Sequence, residues 1–568
     1  MIADLWYKNA FIYSLDVDTF MDANGDGCGD FEGLNRRLDY LDSLGIDAIW
    51  LAPFQPSPNR DNGYDISDFY GVDPRFGSSG DFVEFVQRAK ARGINVIIDL
   101  VVNHTSDRHP WFQSARSDPD SRYRDWYIWS KKKPRGAHQG MVFPGVQKAT
   151  WTRDAKAGEY FYHRFYQHQP DLNMDNAQVR EEIRRIMGYW IELGVHGFRM
   201  DAVPFILEPT QSRGRGRQEL RFDYLAEFRE MLEWRSSGTV LLGEANVVPK
   251  ESDRYFTHGR GLHMMFNFWV NQHLFYAFAS GDVRPLTSAI RATRRIPPSA
   301  QWAQFLRNHD ELDLGRLEKE QQQAVFARFG PEPNMQVYHR GIRRRLAPMM
   351  GDRRRLEFAY SVLFSLPGAQ VIRYGDEIGM GDNLALKERE AVRTPMQWSN
   401  EKHAGFSRAD RLVTPVISEG LYGCEQVNVE AQRRDPSSLL NWMVRMIRLR
   451  KELPEIGWGT CEILNTGCNS VLGLMYTWQA TQLVILHNFD DQPHEVRIRI
   501  PDARSDVLAD LIANEESRAR ANGEHRIAVG ELGYKWYRVG GFGYALSNTA
   551  PANEMSEVRA ARAARKHR

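Results

Sequence analysis

Val96-Ile97-Ile98-Asp99-Leu100-Val101-Val102 is apolar at every position but one. A strand with no polar face is buried on both sides, as in a parallel sheet covered by helices. The residues before it agree. Ser78 and Asp81 form a capping-box pattern ahead of a helix carrying Phe82, Phe85, Val86 and Ala89, and Gly93 closes it. Earlier, Phe11–Leu15 is a short apolar run. Leu34, Leu38 and Leu41 then recur at helical spacing, Gly45 stands as their C-cap, and Ala48–Leu51 follows as a strand. Later, Val179, Ile183, Ile186 and Trp190 form a helical stripe, and Gly197–Met200 and Val240–Leu242 are short strands. Such βα repeats build either an open doubly wound sheet or a closed (β/α)₈ barrel. Two features favour the barrel. The units continue past residue 370, and the polar residues that interrupt them follow the strands directly, where a barrel carries its active site.

A chain of 568 residues exceeds one hydrophobic core and suggests about two to four domains. Residues 1–103 and 173–454 are assigned to the barrel. Residues 104–172 are rich in Trp, Tyr, Arg, His and Pro without a helical period, and read as a small domain inserted after the third strand. From 455 to 545 the pattern changes to short alternating strands, among them Val471–Thr477, Leu483–Asn488 and Glu495–Ile500. This predicts a C-terminal antiparallel β-sandwich. Residues 546–568 form a basic tail, expected to be disordered.

Net charge is +1, so nothing in bulk charge points to nucleic acid or a membrane surface. Aromatic residues make up 12% of the chain, with 15 Trp, which suits either sugar-stacking clefts or a large aromatic core. Cys28, Cys424, Cys461 and Cys468 lack metal-ligand spacing and read as reduced thiols. Met1–Lys8 has no signal-peptide pattern, and no stretch is apolar enough to span a bilayer. The expected location is cytoplasmic. The oligomeric state stays open, with a homodimer one option.

Three acidic residues each follow a strand: Asp201 in Gly197-Phe198-Arg199-Met200-Asp201-Ala202, Glu244 in Leu241-Leu242-Gly243-Glu244-Ala245, and Asp310 in Phe305-Leu306-Arg307-Asn308-His309-Asp310. Retaining glycoside cleavage needs a carboxylate nucleophile and a protonated carboxylic acid roughly 5 Å apart. Adjacent barrel strands hold such a pair rigidly. Arg199, two residues before Asp201, lies on the same side of its strand, and its cation favours ionised Asp201. Glu244, near another carboxylate in a desolvated pocket, is expected to stay protonated. Each motif alone is weak. Their order and strand context carry the reading.

These segments, with Val101-Val102-Asn103-His104, resemble the conserved blocks of the α-amylase family (glycoside hydrolase family 13) from about residue 5 to 545. The resemblance implies a catalytic barrel, an inserted domain and a C-terminal β domain. It implies Asp201 as nucleophile, Glu244 as acid/base and Asp310 as transition-state stabiliser. It also implies that His104, Arg199 and His309 hold the glucosyl ring, that Asp61 and Tyr64 close off its subsite, and that Arg393 reaches the pocket rim. Asp22-Ala23-Asn24-Gly25-Asp26-Gly27-Cys28-Gly29-Asp30 alternates oxygen donors with glycine, as a calcium loop or an ion-free Asx turn does. The resemblance implies structural Ca²⁺ on Asp22, Asn24, Asp26, Asp30 and the Cys28 carbonyl, and Asn103 and Asp171 are candidates to hold another calcium. No organic cofactor is expected.

Gln169-Pro170-Asp171-Leu172-Asn173 and Val392-Arg393-Thr394-Pro395-Met396-Gln397-Trp398 are similar to segments of α-glucosidases and trehalose synthases. Trp50–Pro58, Gly341–Pro348 and Val427–Gln432 resemble trehalose synthases in particular. Ala202 after the nucleophile leans toward α-1,4 substrates. Small α-glucosides such as maltose, trehalose and short malto-oligosaccharides are therefore the expected partners. Maltose-to-trehalose isomerisation with side hydrolysis is the leading expectation. An exo-acting α-glucosidase or transglucosidase is the alternative, and a non-catalytic binding subunit the third reading. Three stretches depart from the trehalose synthase pattern: Leu15–Phe20, Gly243–Val248 and Leu207–Arg217.

Overall fold

The computed structural model describes residues 3–210, 219–513 and 515–540. The expected basic tail, and residues 211–217 of the unusual loop, lie outside these. The described residues divide into two compact units, one within 1–280 and 292–452, the other within 281–291 and from 453 onward.

The first unit holds a closed barrel of eight parallel strands: β1 Phe11–Leu15, β2 Ala48–Leu51, β3 Asn95–Leu100, β4 Gly197–Met200, β5 Val240–Gly243, β6 Met264–Phe266, β7 Gln301–Phe305 and β8 Ala369–Arg373. Each pairs with its neighbours in chain order, and β8 closes on β1 through Phe11–Gln370 and Ser14–Arg373. The expected barrel is therefore present. Ser78 caps the helix Ser79–Ala91 with Asp81 reciprocating, and Gly45 ends Leu38–Leu44 at a left-handed φ of 87°.

Alternate strand residues fill the barrel: Ile12, Ala48, Trp50, Ile97, Val240, Leu242, Met264, Phe266, Ala303, Phe305, Ala369 and Val371 form one buried cluster. Side chains repeat every second residue along a strand. The same inward row therefore continues upward from Ile97 to Asp99, from Gly197 to Arg199 and Asp201, from Leu242 to Glu244, and from Val371 to Arg373. One periodicity thus packs the core below and delivers charge to the C-terminal mouth.

Between β3 and β4, residues Trp129–Ser130, Trp151–Arg153 and Tyr160–Tyr162 form a small antiparallel sheet beside the helix Pro110–Ser117. In the second unit, a six-stranded antiparallel sheet and the two-stranded pair His494–Arg499 with Glu524–Val529 share one core. Burial alternates along both strands of that pair, giving one wet and one dry face. Among the described residues, no helix is long and apolar enough to cross a membrane.

Candidate active site

Arg199 organises the barrel mouth. It is buried, and its Nη1 donates to Asp99 Oδ1 and to Asp201 Oδ1, both at 2.7 Å. Its Nη2 lies 2.7 Å from Glu244 Oε2. One guanidinium thus fixes three carboxylates delivered by β3, β4 and β5, and its planar fork spaces them. The turn after β4 supports this: Ala202 takes a left-handed φ of 52°, and its amide donates to Glu244 Oε2 at 3.3 Å.

Burial sets the protonation states. It pushes the Asp201 carboxyl up to about 6 against the Arg199 cation. Glu244 rises to about 8, through burial and the nearby charge of Asp201, again opposed by Arg199. Near neutrality the first is mainly ionised and the second mainly protonated, so the two groups are split into base and acid forms.

Asp310, after β7, takes the opposite direction. Burial opposes its charge, but His309, Arg389 and Arg393 hold its carboxyl far below the usual range. Arg389 Nη1 contacts Asp310 Oδ1 at 2.7 Å and Arg393 Nη2 the same oxygen at 3.1 Å. His309 Nε2 lies 2.7 Å from the Tyr64 hydroxyl, and the two rings stack 5.5 Å apart at 6°. The Tyr64 hydroxyl also donates to Asp99 Oδ2 at 3.0 Å.

The loop carrying Asp61 and Tyr64 is closed by Asp65, whose Oδ1 accepts from Ser57 Oγ and from the amides of Arg60 and Asp61. Asp61 then bonds outward. Its Oδ1 meets Arg389 Nη2 at 2.9 Å and its Oδ2 accepts from Gln169 Nε2 at 2.9 Å. His104 Nε2 donates to the Tyr64 carbonyl at 2.9 Å, which makes Nδ1 the acceptor toward Asn103 Nδ2 at 3.3 Å.

These contacts surround a cavity of about 1250 Å³, lined among others by Asp61, Tyr64, His104, Asp201, Glu244 and Asp310. Six of the nine expected catalytic and substrate residues therefore share one cavity. Arg199 and His309 stand behind its wall. Arg393 does too, instead of at the rim: it is buried, with Nε donating to the His309 carbonyl at 2.9 Å. Sequence reasoning missed two residues. Arg389 sits in the charged run Lys387-Glu388-Arg389-Glu390, which reads as an exposed turn. Asp99 was visible as the only polar residue in an apolar strand, and that was its signal.

The Asp22–Asp30 loop closes on itself. Asp22 accepts from the Gly25 and Gly27 amides, Asn24 from Asp26, Asp26 from Cys28, and Asp30 from Ala23, Asn24 and Gly33. Asp30 also caps the helix Phe31–Arg36. Among the described residues, no three His, Cys, Asp or Glu side chains converge to hold a metal ion. Asp22, Asn24, Asp26 and Asp30 thus fold their side-chain oxygens back on the amides of one loop as Asx-type turns. At the second expected site, Asp171 Oδ1 accepts from the Arg164 amide at 2.8 Å.

Residues 11–328 and 341–459 match the family description "Alpha amylase, catalytic domain". The chain is 41% identical over 540 residues to a trehalose synthase of Thermus thermophilus, covering 94% of this chain but 56% of that relative. It therefore spans little more than half that relative's length. A trehalose synthase of Pimelobacter sp. is 38% identical over 550 residues, covering 94% of this chain and 96% of its own. Among solved structures, an α-amylase from H. orenii superimposes with a TM-score of 0.75 at 28% identity, covering 94% of this chain and 99% of its own.

Proposed function

The chain belongs to the α-amylase family of glycosidases and transglucosylases, and on that premise we propose that it isomerises maltose to trehalose by double displacement, with side hydrolysis. The observation that carries the double-displacement chemistry is the Arg199 fork. It holds Asp201 and Glu244 on one cavity with their carboxyls at about 6 and about 8.

In the first step Glu244 gives its proton to the glycosidic oxygen. The bond from that oxygen to the anomeric carbon breaks, and Asp201 forms an ester at that carbon. Asp310, kept anionic by Arg389 and Arg393, accepts hydrogen bonds from the ring hydroxyls and steadies the developing positive charge. In the second step ionised Glu244 takes the proton of an incoming hydroxyl, whose oxygen displaces Asp201. The anomeric hydroxyl of the retained glucose gives trehalose; water gives glucose. Arg389 bridges Asp61 and Asp310, and all three line the cavity, an arrangement that suits a chain end better than an internal glucosyl unit.

The similarity to trehalose synthases supports the acceptor assignment. Maltose followed by NMR tests it. Trehalose is the expected new disaccharide, with glucose as the minor product; a product mixture without trehalose overturns the isomerase reading.

A further inference from the structure

Behind the cavity wall, one residue ties three segments together. The Glu388 carboxylate accepts at Oε2 from the Tyr166 hydroxyl at 2.7 Å and from the Tyr338 hydroxyl at 2.5 Å. Tyr166 belongs to the segment inserted between β3 and β4. Tyr338 sits at the tip of the hairpin Gln336–Val337 with Gly341–Ile342. Both rings pack on Phe143, at 4.8 and 4.7 Å. The Arg389 guanidinium also lies over the Phe143 ring, 5.0 Å from its centroid.

The division between wall and support is clear. Phe143, Arg340 and Arg389 line the cavity, whereas Glu388, Tyr166 and Tyr338 are not among its lining residues. Further bonds fasten the same parts. Arg340 Nη1 donates to the Val142 carbonyl at 2.8 Å, and Arg340 Nε to Asp313 Oδ2 at 2.7 Å. Arg343 Nη1 reaches the carbonyls of Leu386 and Glu388 at 2.6 and 3.0 Å, and its Nη2 that of Leu384 at 2.8 Å. The Gly341–Pro348 motif, which the catalytic chemistry leaves unused, thus serves to hold this wall. The backbone is bent to make it. Glu388, Tyr338 and His339 take left-handed φ of 38°, 54° and 59°, a conformation that non-glycine residues hold only where surrounding contacts enforce it.

We propose that Glu388 is a positioning residue that sets the ratio of glucosyl transfer to hydrolysis, by pinning Phe143 and Arg389 against the cavity. The inference rests on the transglucosylation reading above. The glucosyl ester on Asp201 has two competing acceptors, the retained glucose and water. The chemistry at the anomeric carbon is the same for both, so the product ratio is decided by how well the wall excludes water. Glu388 touches neither, and acts through the residues it holds.

The test supplies maltose to the full-length wild type and to Glu388→Leu, Tyr338→Phe and Glu388→Gln, and counts glucose against trehalose by NMR at equal maltose consumption. The ratio is independent of total rate. Glu388→Leu removes both acceptor bonds and is expected to raise glucose over trehalose roughly tenfold, and Tyr338→Phe about threefold. Glu388→Gln keeps a carbonyl oxygen for both phenols and is expected to stay within about twofold. Tyr338→Phe, a smaller change, covers the case in which Glu388→Leu does not fold. Ratios unchanged in the folded variants overturn the proposal, and so does a Gln variant as leaky as the Leu variant. Hydrogen exchange on the same proteins separates this failure from failure of the functional reading. If the wild type makes glucose alone, the isomerase reading has failed. Faster exchange over residues 336–342 in Tyr338→Phe then still supports the pinning role, and unchanged exchange there overturns it.

Discussion

Asp201 and Glu244 share one guanidinium yet hold protons at different pH: burial raises both, the charge of Asp201 raises Glu244 further, and the hydrogen bond with Glu244 draws Asp201 down. Asp201 must be ionised to attack, and its carboxyl sits at about 6, so activity is lost as pH falls through that value. Glu244 must be protonated to donate, and sits at about 8, so activity is lost as pH rises through that value. The expected profile of kcat/KM is a bell between these limits, measured on maltose across pH 5 to 9. Because the groups interact, its two limbs belong to the pair. Replacement of Glu244 by Gln is expected to flatten the alkaline limb; an unaltered limb removes Glu244 from the acid role. These residues were legible in the sequence because each acid follows a short strand, in an order that carries the reading. Arg389 was not: no periodicity marks a side chain that reaches Asp61 and Asp310 from a distant loop.

Elements position these residues through their ends. The strands β3, β4 and β5 are short, four to six residues each, and their inward row runs straight into the charged cluster. Caps and strands could be read from the sequence, since local chemistry determines them: Ser78 with Asp81, and Gly45 at positive φ. Loop closure could not, since it depends on contacts far apart in the chain, such as Gln169 with Asp61 and Tyr338 with Glu388. The turn before Tyr64 gives a test at this scale. Gly63 has φ +88°, and an added Cβ would lie 2.7 Å from the Pro53 carbonyl oxygen. Gly63→Ala is expected to cost about 1–3 kcal/mol by strain and contact. It should lower Tm in a thermal melt and raise KM more than it lowers kcat, since Asp61 and Tyr64 shift while Asp201 does not. An unchanged KM would mean that the turn does not shape the pocket.

At the scale of the whole molecule, the barrel was legible from repeated buried strands and from polar residues placed after them. Eight such strands close in chain order. The C-terminal antiparallel unit was legible from its alternation. The inclusion of residues 281–291 in that unit was not, because nothing in their helical pattern states which core they join. The account depends on the closed barrel bringing positions 201 and 244 to one cavity, so that a glucosyl ester forms on Asp201. A slow fluorinated α-glucosyl fluoride, which accumulates that ester, followed by digestion and mass spectrometry of the peptides, tests this most directly. The account predicts one fluoroglucosyl adduct, on the peptide and residue of Asp201, absent in Asp201→Asn. An adduct on another carboxylate, or turnover of the substrate through inverted product with no adduct, would contradict it.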